Sequence, residues 1–163
     1  MSKFEDAIGP LLDHEGGAYV PDDHGRGPSR WGITLATYRE RHPQATGADI
    51  RSMTRERAAA FYHEAFWDGL NLGLIDDQTV AGKVFDLAVN IGPGTAVKLL
   101  QRVAAVREDG MLGPETSAAI NRELPGALLA AIRAAGERHY RALVRVHPKW
   151  TPLLPGWLAR LNS

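Results

Sequence analysis

Cysteine is absent from the 163 residues. That excludes disulfides, thiolate metal sites and a cysteine nucleophile. No run of 18 apolar residues occurs, so no membrane-spanning helix is expected. The opening Met1-Ser2-Lys3-Phe4-Glu5-Asp6 lacks a basic stretch followed by an apolar one. No Sec-type signal peptide is expected, and a target beyond the membrane has to be reached by another route. Aromatics are sparse at 7%. Gly and Pro, 17 and 10 residues, stay below the share of roughly 25–30% that marks low complexity. Neither sign of charge dominates: 19 basic residues face 19 acidic ones. No nucleic-acid partner is expected, and a monomer is the default.

What is present suits a folded core: 44% hydrophobic and 23% charged residues. The charge is unevenly spread. Residues 1–80 carry 8 basic and 13 acidic residues, a net of −5; residues 81–163 carry 11 and 6, a net of +5. From Gly126 onward six basic residues, including Arg133, Arg138, Arg141 and Arg145, oppose only Glu137. This is a solvated helix face or a surface that can help dock an anionic polymer.

Helical spacing dominates. Phe4, Ile8, Leu11 and Leu12 predict a helix over 2–13, with Ser2 and Glu5 placed as a capping box and Gly16-Gly17 as its stop. Glu15 then sits just past a helix end. Residues 16–32 are turn-rich, with hairpin pieces expected around 18–20 and 30–33. A loop this long in a compact chain is usually functional. After Thr34 the pattern predicts helices over 34–41, 55–67, 78–90, 95–103, 115–121 and 125–146, a turn at 48–53, and a last turn at 156–161. Thr34, Thr54 and Thr95 are read as caps, Gly92-Pro93-Gly94 as a stop, and Pro114 and Pro125 as helix openers. The fold class is therefore mainly α, a bundle of seven or eight helices with a small irregular β-wing near the N-terminus.

Three constellations bear on chemistry. Glu15 with Asp22 and Asp23 pairs carboxyls across a Gly-rich turn, as glycoside hydrolysis requires: one acid protonates the leaving oxygen, and a second group serves water or the cationic transition state. The plain alternative is a surface Glu beside an Asx-type turn. His24 beside Asp22 and Asp23 is the nearest approach to a metal site, but no further ligand stands at a suitable spacing, and no metal or cofactor is expected. No nucleophile elbow is present. Tyr19, Trp31, Tyr62 and Trp67 are aromatic faces of the kind that stack on sugars. Trp31 lies in the irregular loop, which favours binding; Trp67 reads as core, and Trp150 and Trp157 as packing for the tail.

Five segments in order carry a resemblance. His14-Glu15-Gly16-Gly17 is followed by Pro21-Asp22-Asp23-His24-Gly25 and by Gly27-Pro28-Ser29-Arg30-Trp31-Gly32-Ile33-Thr34. Then come Ala58–Tyr62 with Trp67, and Phe85-Asp86-Leu87-Ala88-Val89-Asn90-Ile91-Gly92-Pro93. Leu99-Leu100-Gln101 with Asp109-Gly110-Met111-Leu112-Gly113-Pro114-Glu115-Thr116, and finally Gly156-Trp157-Leu158-Ala159-Arg160, complete the set. Together these resemble glycoside hydrolase family 108, phage and bacterial N-acetylmuramidases with a lysozyme-like fold and a C-terminal peptidoglycan-binding segment. The departures lie in the wing: Ala18 stands where the family usually has Tyr, the stretch from Glu15 to Asp23 is about one residue short, and Arg26 separates two usually adjacent glycines.

The resemblance implies a catalytic region over 1–92 and a peptidoglycan-binding-like helical lobe over 93–163, packed as one compact unit around an open cleft. It implies Glu15 as catalytic acid, with Asp23 and Ser29 serving the attacking water. Tyr19, Trp31, Asp86, Asn90 and Gln101 are the expected substrate contacts, although helix capping and internal hydrogen bonding are the plainer reading of Asp86 and Asn90, and Gln101 could bond the wing in place of the saccharide. The implied activity is hydrolysis of the β-1,4 bond between N-acetylmuramic acid and N-acetylglucosamine in peptidoglycan glycan strands. A phage endolysin released by a holin would be made in the cytoplasm and act in the periplasm or wall. A lytic transglycosylase and a non-catalytic peptidoglycan-binding or secretion-assisting protein are the competing readings.

Overall fold

The structure, a computed structural model, describes residues 1–23 and 25–163. The described residues are mainly helical, with a two-stranded antiparallel sheet near the N-terminus. They form two compact units: Lys3–Gly69, and Leu70–Ser163 joined by Met1–Ser2.

In the unit Lys3–Gly69, helix α1 (Phe4–Glu15) buries Phe4, Ala7, Leu11 and Leu12. The predicted capping box does not form. Lys3 is the N-cap residue and makes no side-chain cap, while the Ser2 amide and hydroxyl donate to Ile75 O and Leu72 O. Gly16, at φ 71°, ends the helix, its N–H donating to Leu12 O. The sheet pairs β1 (Ser29–Arg30) with β2 (Ile33–Thr34). Short helices α2 (Leu35–Arg39) and α3 (Gly47–Arg51) follow, with the Thr34 hydroxyl capping α2 through Thr37 N.

Helix α4 is shorter than its pattern predicts. It covers Arg55–Tyr62, and the chain then widens into a π-helical turn, His63–Asp68. The four large aromatics explain this. Phe61 and Phe66, and likewise Tyr62 and Trp67, are five residues apart, which suits i→i+5 hydrogen bonding and not the 3.6-residue turn. All four are buried, with the Tyr62 and Phe66 ring centres 5.5 Å apart. Trp67 is core, as expected.

In the second unit, α5 (Gln78–Ile91), α6 (Pro93–Val103), α7 (Pro114–Ile120), α8 (Pro125–Val146) and α9 (Leu154–Asn162) enclose a core of Val84, Leu87, Leu100, Ile120 and Ile132. Asp77 caps α5 by accepting from Thr79 N and Val80 N. Helix α6 starts two residues earlier than predicted: Gly92 is its N-cap and Pro93 its first residue. A proline there removes no needed donor and presets the helical φ. The tail does pack: Trp157 stacks on Tyr140 at 5.3 Å and meets Trp150 edge-on.

Candidate active site

The wing is built around one tight turn. Arg30 pairs with Ile33, leaving Trp31 and Gly32 as a two-residue hairpin loop, with φ of 55° and 73°. Positive φ at both positions is the hairpin turn whose twist matches its strands, and Asn-Gly is its usual sequence. A tryptophan in the left-handed region costs on the order of 1–3 kcal/mol, so surrounding contacts have to hold it. They do. The Trp31 indole N–H donates to Met53 O at 3.2 Å, and its carbonyl accepts from the Tyr62 hydroxyl at 2.9 Å. The indole also lies flush on Gly17, where a Cβ would fall 2.6 Å from the ring. Arg30 ties the same strand down, donating from Nε to Gly17 O and from Nη1 to Arg51 O.

This turn is laid against Glu15. A Cβ built on Gly32 would lie 2.5 Å from Glu15 Oε2 and 2.8 Å from the Tyr62 hydroxyl oxygen. The carboxyl of a half-buried Glu at the last position of α1 is therefore seated on the bare Cα of Gly32, beside Tyr62. Tyr62, read from sequence as a sugar-stacking ring, is 1% exposed and acts in this support instead.

The two adjacent acids separate in role. Asp22 Oδ1 accepts from Gly27 N at 3.2 Å and so closes a turn. Asp23 is half-buried in the same loop, its N–H donating to Gly27 O and its carbonyl accepting from Arg26 N. Ser29 is 5% exposed, and its main chain bonds Val20 on one edge and pairs with Thr34 on the other. His24, and with it the metal reading, lies outside the described residues. Among the described residues, no group of three or more His, Asp or Glu is arranged to hold a metal ion. Tyr19 and Trp31 are half-buried, and each carries a guanidinium over its ring: Arg51 at 4.6 Å and Arg55 at 5.7 Å. Arg55 also pairs with Asp13 at 2.8 Å. From sequence, Gly17 was read as part of a helix stop and, with Arg30 and Gly32, as part of the resembling segments; none of these three, nor Arg51 or Arg55, was given a role at the site. The Arg-Trp-Gly-Ile run was visible, but nothing in it signals what the turn touches.

The remaining predicted contacts belong to the second unit and are committed internally. Asp86 Oδ1 accepts from Arg160 Nε at 2.8 Å, and Asn90 Nδ2 donates to the Tyr140 hydroxyl. Gln101 requires a correction as a substrate contact. It is 0% exposed; its Nε2 donates to Asp109 Oδ1, Met111 O and Thr116 Oγ1, while its Oε1 accepts from Gly110 N. A side chain with no exposed surface and a fully engaged amide holds the 105–116 loop, not a saccharide. We expect Gln101→Leu to cost about 2–3 kcal/mol, because several partners lose their bond at once. The denaturant midpoint measures this, and an unchanged midpoint would refute the role.

Asp109 provides a pH test of the same loop. Its carboxyl is held below its ordinary value chiefly by the Gln101 hydrogen bond and then by Met111 N. The unfolded chain thus binds the proton more readily. The stabilisation is complete above the ordinary value of 3.8 and disappears as pH falls through the lower folded value. The Gly110 and Met111 amide shifts should stay constant through an acid titration until below that ordinary value, and then move together.

Comparisons place this geometry in a family. A family model described as glycosyl hydrolase 108 matches residues 8–92, and one described as a predicted peptidoglycan domain matches residues 95–162. No curated protein sequence is a match. Among solved structures, SagA of Brucella abortus is 27% identical with a TM-score of 0.78, over 98% of this chain and 93% of that one. The fold is accordingly the mainly α, lysozyme-like one. A hydrolase segment followed by a peptidoglycan segment supports a glycoside hydrolase with peptidoglycan as its partner. With its first model spanning more than half of the residues and holding the Glu15 turn, the chain belongs to the glycosyl hydrolase 108 family.

Proposed function

We propose that the chain is a muramidase, hydrolysing the β-1,4 bond between N-acetylmuramic acid and N-acetylglucosamine. The observation that carries this reading is the seating of the Glu15 carboxyl on Gly32 beside Tyr62. An acid that must deliver a proton to one oxygen has to be held within hydrogen-bond reach of it, so a seat that restricts the carboxyl favours catalysis. Glu15 gives its proton to the glycosidic oxygen as the bond to the muramic C1 breaks, and the N-acetylglucosamine leaves as an alcohol. Water adds to C1 and loses a proton to a carboxylate of the site. Asp23, helped by Ser29, positions that water or stabilises the positive charge. Tyr19 and Trp31 supply aromatic surface for the sugars. Release by a holin, as a phage endolysin, would bring a cytoplasmic product to the wall.

Mass spectrometry of the soluble products from purified sacculi tests the reading. Muropeptides with reducing ends are expected. Products with 1,6-anhydro ends would make the enzyme a lytic transglycosylase. Retained sacculus binding with no soluble product would make it a binding protein.

A further inference from the structure

Beside the loop that Gln101 organises, the second unit has a recess of about 210 Å³, lined by Val106, Arg107, Asp109, Met111, Glu115 and Thr116 among others. Its frame rests on Gln101 and on Asp109, a lining carboxylate that accepts from Gln101 Nε2 and Met111 N. Val106 N donates to Gln101 O, Gly110 N to Gln101 Oε1, and Thr116 Oγ1 accepts from Gln101 Nε2. Ala105 at φ 53° and Gly110 at φ 82° set the two bends of the loop. Arg102 and Glu108, just outside, satisfy each other through two bonds of 2.9 and 2.6 Å.

Arg107 and Glu115 differ from that pair. Both are exposed; among the described residues neither side chain has a hydrogen bond or ion pair, and Arg107 acts on Asp109 only through the field of its charge. Met111 adds a thioether that is 69% exposed, unusual for a large apolar side chain. The recess thus offers one cation, an apolar contact and two carboxylates, of which Asp109 is engaged in the frame and Glu115 is open to a ligand. We propose that it binds the free ends of peptidoglycan stem peptides, with Arg107 taking a carboxylate, Glu115 an ammonium and Met111 a side-chain methyl. This chemistry selects a short zwitterionic peptide. A neutral glycan has no charge to offer either residue, and a carboxylate–guanidinium bond on a preformed rim is one of the stronger polar contacts available. The volume suits one or two residues and is below that of pockets for drug-sized ligands.

The inference rests on the peptidoglycan reading above, but its test is independent of catalysis. The probe is the synthetic peptide N-acetyl-L-Ala-γ-D-isoglutaminyl-L-Lys-D-Ala, whose only charges are the lysine ammonium and the terminal carboxylate, titrated into the full chain while backbone amide shifts are followed. Amides of residues 105–116 are expected to move in a saturable way. Acetylating the lysine amine and amidating the terminal carboxyl should weaken binding at least about tenfold, as should Arg107→Gln. Glu115→Gln should remove the preference for the free amine while keeping that for the carboxylate. No movement at millimolar peptide, movement elsewhere, or equal binding by Arg107→Gln would each overturn the proposal. A chain that digests sacculi but ignores the peptide refutes this site alone. One that binds the peptide but releases no muropeptide refutes the muramidase reading alone.

Discussion

Glu15→Gln is expected to slow sacculus lysis by more than about two orders of magnitude, the usual size of a general-acid contribution. The substitution keeps the shape of the side chain and removes the transferable proton. It should therefore leave the thermal midpoint within about 1 °C of the parent, because it exchanges one polar group for another of the same size at a half-buried position. Turbidity loss of purified sacculi, read beside the melting curve, separates the two effects. Near-parental lysis by a folded Glu15→Gln protein would remove Glu15 from the mechanism. A large fall in the midpoint would show that the carboxylate holds the wing together.

Gly32→Ala should have the next largest effect, and by two routes. The backbone at φ 73° disfavours any L side chain, at about 1 kcal/mol or more of stability. The new methyl would also lie 2.5 Å from Glu15 Oε2 and 2.8 Å from the Tyr62 hydroxyl oxygen, inside any ordinary contact. Either the carboxyl moves or the turn does. A displacement of about 1 Å at a reacting group can cost about 100-fold, so kcat should fall 10- to 100-fold with KM little changed. Gly92→Ala separates the routes. Gly92 has φ 90° and nothing within 4 Å of a built Cβ, so it carries the backbone cost without the clash. If Gly92→Ala and Gly32→Ala lose stability alike, and only Gly32→Ala loses kcat, the seat under Glu15 is functional. Equal kcat for both would refute it.

Local patterns carried most of the helical architecture. Thr34, Thr54, Pro114 and Pro125 each start a helix where expected, because a cap or a preset φ acts within one turn of chain. The errors share a cause. Ser2 had the residues of a capping box, but its amide and hydroxyl go instead to carbonyls 70 or more residues along the chain. The Phe61, Tyr62, Phe66 and Trp67 spacing was read as an ordinary amphipathic face, although its five-residue interval belongs to a π turn. Gly92-Pro93 was read as a stop, and it both ends α5 and opens α6.

For the candidate site the division is sharper. The residues alone placed Glu15 just past a helix end, before a turn-rich wing, since helix termination and turn formation depend on neighbours in the chain; the structure makes it the last residue of that helix. They also determined that the chemistry available is that of carboxyls, with no thiol to compete. Only the tertiary structure decided that Gly32 lies against the Glu15 carboxyl and the Tyr62 hydroxyl, that Asp22 closes a turn, and that Gln101 is a buried keystone. Those contacts join distant segments whose side chains face one another only once the core has packed. No periodicity in a linear chain records which groups then lie within 3 Å.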